Sequence, residues 1–193
     1  AFLALNDLVE APVCQVIVIS QNSADSSLRI FNSIEAYGLD IRRAALTTGG
    51  SIIPYLTAYK VDLYLSANEA DVAKATLSGI AAATVLASPE ESSLGTSQIR
   101  IAFDGDCVLF NGEAEMIFMR EGLDAFDAHE KNKALVPLER GPFANLLKTI
   151  SLIQSMFEKI DDAPIRTAIV TARSAPAHER VIRTFREWGV RID

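Results

Sequence analysis

Cysteine is scarce in this 193-residue chain, and Cys14 and Cys107 are too few to staple a small fold with disulfides. Each lies in or beside a predicted strand, so reduced, buried thiols in a cytoplasm are expected. Also missing is any apolar run approaching the ~20 residues that a membrane-spanning helix needs. Nothing resembles a signal peptide, and the chain opens on Ala1-Phe-Leu-Ala-Leu, which reads like the interior of a helix. Basic excess is missing too. Eighteen Lys and Arg against 25 Asp and Glu leave a net charge of −7, which argues against a nucleic-acid polymer as partner. What is plentiful is apolar surface: 49% hydrophobic residues and a mean hydropathy of +0.20 suit parallel strands buried on both faces. The length allows one domain with an insertion, or two small lobes.

The most informative stretch is Arg100-Ile-Ala-Phe-Asp104-Gly-Asp106-Cys-Val-Leu-Phe110. An apolar run breaks off into two carboxylates one residue apart, at the carboxyl end of a predicted strand, where open α/β sheets bind ligands. Gly105 between them lets backbone come close to an anion. Two carboxylates this close repel each other, so a site holding both ionised needs a divalent cation, and hard oxygen ligands favour magnesium. With Mg2+ present, Asp104 would attack phosphorus and Asp106 would act as general acid and then base. The rival readings are a solvated Asp-Gly-Asp turn and an acidic pair that binds a metal-nucleotide sugar.

The pattern resembles the first motif of the haloacid dehalogenase-like phosphohydrolases. That resemblance implies a second strand ending in Ser or Thr, and Ile165-Arg-Thr-Ala-Ile-Val-Thr171-Ala-Arg173 supplies one. Thr171, with Ala172, Arg173 and Gly105, is then expected to hold the phosphate, helped by a helix start at Ser174-Ala-Pro176. Taken alone, Thr171 is an ordinary strand-end residue. The wording FDGDCVLFNGEAE at 103–115, GPF at 141–143 and ISQNSADSSLRIFNSIEAYGLDIRRAALTTGG at 19–50 resembles, more narrowly, the cytosolic 5'-nucleotidase type I family. This implies magnesium-dependent hydrolysis of nucleoside 5'-monophosphates, with Asp104 and Asp106 as catalytic residues and metal ligands, Asp106 through its backbone carbonyl. Another phosphorylated metabolite as substrate, or a non-catalytic nucleotide-binding role, stays open. Such a substrate needs only local positive charge, and Arg42, Arg43 and Arg173 are available, although most arginines are solvated or ion-paired. The superfamily also uses a phosphate-steadying Lys and further acids, neither of which is visible after Thr171. The chain therefore reads as a fragment, or as the ordered pieces of a longer protein.

Residues 17–41 align with 168–192 without a gap, placing Ser20 on Thr171, Ser23 on Ser174, Arg29 on Arg180 and Gly38 on Gly189. The fold class expected is α/β: a Rossmann-like parallel sheet of haloacid dehalogenase type, with a helical cap insertion and a related N-terminal half-lobe. Residues 1–97 would form that half-lobe, wound as βαβ units, and 98–111 with 165–193 the catalytic core. Helices predicted at 113–121, 123–134 and 143–159 fill the insertion 112–164, a lid that selects the leaving group. Phe110, Asn111, His129 and Lys131 are candidates for nucleoside contact, with an exposed face of a charged helix as the simpler reading of His129 and Lys131. The sequence is compatible with a homo-oligomer.

Overall fold

A computed structural model describes residues 1–86, 98–157, 163–173 and 177–193. The chain divides into two compact units, Ala1–Ser97 and Gln98–Asp193. In the first unit, β1 (Ile17–Ser20) pairs in parallel with β2 (Arg43–Leu46), and β3 (Tyr64–Ser66) with β4 (Ala82–Thr84). Helix α1 (Leu28–Ala36) links the first pair and α3 (Glu69–Leu77) the second, with α2 (Ile53–Ala58) between them. These are the βαβ units expected from the alternating pattern. Asn68 starts α3 by accepting from the Ala70 and Asp71 amides at 3.0 and 3.4 Å, which satisfies donors that a helix start leaves open. Ile52, Leu56, Tyr64, Ala75 and Ala82 form the core of this unit, with Ile19, Val61, Val72 and Ile80 packed around it.

In the second unit, β5 (Ile99–Asp104) and β6 (Ile165–Val170) pair in parallel over their full length, from Ile99 opposite Ile165 to Asp104 opposite Val170. Between them run α4 (Glu113–Glu121), α5 (Leu123–Asn132) and α6 (Ala144–Met156), and α7 (Ala177–Trp188) follows β6. Helix α6 buries Leu146, Leu147 and Ile150, the three-to-four spacing read from the sequence. The end of the predicted 143–159 helix, and the Ser174–Pro176 helix start, lie outside the described residues. One expectation needs correction. Strand β5 is not buried on both faces: Ile99 and Phe103 point inward while Arg100, Ala102 and Asp104 are exposed. With two strands paired, the sheet covers one face and alternates as an open sheet does.

Both segments of the sequence repeat end their helices alike. Gly38 (φ +57°) and Gly189 (φ +63°) adopt the left-handed conformation. The next amides, Leu39 and Val190, reach back to the Ile34 and Phe185 carbonyls at 2.9 and 3.1 Å, the backbone pattern that a glycine-terminated helix makes.

Candidate active site

The site grows from the register of β5 and β6. Because Asp104 lies opposite Val170, the next residue of β6's strand line, Thr171, arrives beside the turn that leaves β5. Gly105 is buried at the junction: a Cβ there would sit 3.3 Å from Thr171 Cβ, 3.4 Å from its Oγ1 and 3.5 Å from Phe110 Cε2. Two residues far apart in sequence are thus held at one sheet end. Asp104 is exposed, and Thr171 Oγ1 accepts from the Arg173 amide at 3.2 Å, folding the chain after β6 back on itself.

The turn after Asp104 is a wide one, closed by the Phe110 amide donating to the Gly105 carbonyl at 2.9 Å. Inside it Cys107 takes φ +61°. A returning segment clamps the turn from outside. Gly141 N–H donates to Leu109 O at 2.8 Å, Phe143 N–H to Val108 O at 3.0 Å, and Asn111 N–H to Glu139 O at 3.0 Å. Phe110 and Arg140 form an antiparallel bridge. Gly141 is indispensable to this approach, since a Cβ there would lie 2.6 Å from Phe110 O and closer still to Val108 O.

Asp106 does not face solvent alone. Arg173 grips its carboxylate with Nε at 3.2 and 3.1 Å from the two oxygens and Nη2 at 2.5 Å from Oδ1. The other edge of the same guanidinium pairs with Glu130 Oε2, and Glu130 Oε1 accepts from Arg180 Nη1 at 2.8 Å. Arg180 Nε donates to the Val136 carbonyl at 2.7 Å. Glu130 and Arg180 are 1% and 2% exposed, and charge in such a place persists only when paired. Burial works against the charge of Arg173, but the hydrogen bonds and charges of Asp106 and Glu130 outweigh it and raise its pKa. The rings of Phe110 and Phe126 lie 5.9 and 5.5 Å from the guanidinium carbon.

The model of a family described as 5'-nucleotidase matches residues 1–193. The chain belongs to the 5'-nucleotidase family. It is 37% identical over 188 residues to cytosolic 5'-nucleotidase 1B from Homo sapiens, an alignment covering 95% of this chain and 31% of that protein. The chain thus spans about a third of the length of this curated relative. The likeness to the cytosolic type I members, first drawn from the 103–115, 141–143 and 19–50 segments, is borne out. No solved structure matches the chain. Among the described residues, no helix is long and apolar enough to cross a membrane.

Against this family background the candidate residues sort themselves. Asp104, Gly105, Asp106 and Thr171 gather at one strand end, and Ala172 is exposed beside them. Arg173 is there too, but its side chain is 1% exposed and both edges of its guanidinium are taken by carboxylates. Phe110 is corrected outright as a nucleoside contact, because it is fully buried, with the Phe185 and Trp188 rings at 5.6 and 5.8 Å. Asn111 is engaged locally, donating to Glu139 Oε2 at 2.7 Å and accepting from the Glu113 amide at 3.2 Å. Lys131 is exposed on α5, as the simpler reading had it. His129 is not: its side chain is 16% exposed, with Nδ1 3.1 Å from Glu130 Oε1 and Nε2 buried without a hydrogen bond. Cys107 is exposed rather than buried. Partial desolvation by the atoms around its sulfur, followed by the charges of Glu115, Asp106 and Asp104, raises its pKa and keeps the thiol protonated.

Among the described residues no group of three or more His, Cys, Asp or Glu side chains is placed to hold a metal ion. The donor chemistry at Asp104 nonetheless suits magnesium, which binds through one or two hard carboxylates and keeps several waters.

Sequence reading missed Glu130, Arg180 and the tight approach of Gly141. Arg180 did leave a signal. It falls on the Ala177, Val181, Thr184 face of α7, which is buried, and an arginine at a core-facing position calls for a buried carboxylate.

Proposed function

We propose that this chain carries the nucleophile, acid/base and phosphate-contact groups of a 5'-nucleotidase that splits nucleoside 5'-monophosphates into nucleoside and phosphate. The observation that supports it most is the parallel register of β5 and β6, which brings exposed Asp104 and half-buried Thr171 to one strand end with Gly105 between them. In this reading Asp104 attacks phosphorus as the bond to the 5'-oxygen breaks, giving an aspartyl phosphate, and Asp106 delivers a proton to that oxygen. Asp106 then takes a proton from water, which displaces Asp104 and releases phosphate. Thr171 Oγ1 and the amide of Ala172 hold the phosphate oxygens. A bound magnesium ion, held by Asp104 and the Asp106 carbonyl, would offset the charge on the phosphate.

Residues 98–111 with 165–193 then form the catalytic core. Residues 112–164 form a cap over it, and 1–97 a related half-lobe. Asn111, His129 and Lys131 lie on or beside the cap and would influence leaving-group selection indirectly. A cytoplasmic location agrees with the relative's description as cytosolic. The test is phosphate release from a panel of nucleoside 5'-monophosphates and sugar phosphates, with magnesium or EDTA. Magnesium-dependent release from nucleotides is expected; release only from sugar phosphates, or none from any substrate, would overturn the reading.

A further inference from the structure

We propose that Glu130 is a positioning residue for the acid/base step: it fixes the Arg173 guanidinium so that the opposite edge presents and orients the Asp106 carboxylate. The inference rests on the role given to Asp106 above. Its geometric basis is the shape of arginine, a planar group whose donors point in fixed directions. Once one edge is seated on Glu130 Oε2, the direction of the other is set, and that edge makes three contacts of 3.2, 3.1 and 2.5 Å to Asp106.

Glu130 is itself immobilised. Arg180 Nη1 binds its Oε1 at 2.8 Å, and Arg180 is pinned by its own bond to the Val136 carbonyl. The Phe110 and Phe126 rings lie beside the Arg173 guanidinium, and its side chain is 1% exposed. Two arginines and two carboxylates make the cluster neutral, and removing the charge of Glu130 would leave the buried Arg173 and Arg180 under-compensated.

A purely structural Glu130 would affect all substrates alike, so the test uses leaving groups of different basicity. The 5'-alkoxide of a nucleotide needs a proton as it departs; p-nitrophenolate does not. Single-turnover phosphoryl transfer would be followed for both substrates in the protein at the length in which it is made, wild type and Glu130→Gln. General acid catalysis is typically worth ~10²–10⁴-fold, so Glu130→Gln is expected to slow the nucleotide at least ~30-fold and the p-nitrophenolate burst less than ~3-fold. KM for both should change little. Equal losses on the two substrates, or no loss on either, would overturn the proposal. If Glu130→Gln does not fold, Arg173→Lys keeps the charge but lacks the fork, and the same selective loss is expected; full nucleotide activity there would overturn it equally. Wild-type protein that turns over nucleotides while Glu130→Gln is indistinguishable from it sinks this inference alone. Wild-type protein that turns over no nucleotide removes the functional reading and this proposal together.

Discussion

Gly141→Ala is the sharpest stability test of how the Gly105–Leu109 turn is held. The added methyl carbon would stand 2.6 Å from Phe110 O and 2.9 Å from its carbonyl carbon, whereas carbon-to-oxygen contacts rarely close below ~3.3 Å. The obstacle is backbone, so rotamer changes cannot relieve it. The returning segment must retreat, and its bonds from Gly141 to Leu109 and Phe143 to Val108, now 2.8 and 3.0 Å, are the first to be lost. Each contributes about 0.5–1.5 kcal/mol, and overpacking a tight contact adds about 1–3 kcal/mol, so the total loss is about 2–6 kcal/mol. That is a large share of the ~5–15 kcal/mol that holds a domain together. Denaturant unfolding of wild type and variant measures it, with Gly189→Ala as the comparison in the same unit. At Gly189 a Cβ meets nothing within 4 Å and only the φ of +63° resists, a cost of about 1–2 kcal/mol. If Gly141→Ala proves no more damaging than Gly189→Ala, the close approach does not constrain the turn and the reasoning fails.

Asp104→Asn should abolish phosphate release and any acid-stable phosphoenzyme while leaving the unfolding midpoint nearly unchanged, because Asp104 is exposed; full activity would remove it as nucleophile. Thr171→Ser should keep most activity and Thr171→Val should raise KM with a smaller effect on kcat, measured by initial rates; an unaltered valine variant would leave Thr171 a plain strand-end residue. Glu113 gives a pH signature. Its bond from Lys133 Nζ, at 2.6 Å, holds its carboxyl below the ordinary 4.5, against an opposing push from burial. A lowered folded-state value stabilises above the unfolded value and is lost as pH falls through the folded one. Melting profiles should therefore show wild type losing more stability than Glu113→Gln as pH drops below 4.5.

The winding of the first unit and the helices of the second were legible because each rests on local pattern, period and turn residues, whereas Thr171 was set beside Asp104 only by the family resemblance, since alone it reads as an ordinary strand end. The wide turn at Gly105–Leu109 was not legible, since nothing in Gly-Asp-Cys-Val-Leu dictates that Phe110 reach back five residues or that Cys107 adopt a left-handed φ. The charge cluster was legible by halves. Arg180 on a buried helix face demanded an acid, but Glu113, Glu115, Glu121 and Glu130 all lie in the same stretch, and only the fold selects Glu130. Phe110 misled because an aromatic beside an acidic loop reads equally as a base-stacking platform or as core. Phe185 and Trp188, some 75 residues onward, decide it by enclosing the ring.

The backbone bonds that join Leu109–Asn111 to Glu139–Phe143 make the stretch carrying α4 and α5 a closed excursion, whose two ends meet whatever lies between. Loop closure entropy grows only slowly with length, so this stretch is a place where the chain can gain or exchange residues at little thermodynamic penalty. The neck would hold the Gly105–Leu109 turn in place whatever the excursion carried. A single peptide cut near Gly122, the junction of α4 and α5, would leave both pieces tethered through the neck. Among the demands that the rest of the unit places on any replacement is a carboxylate delivered where Glu130 now stands.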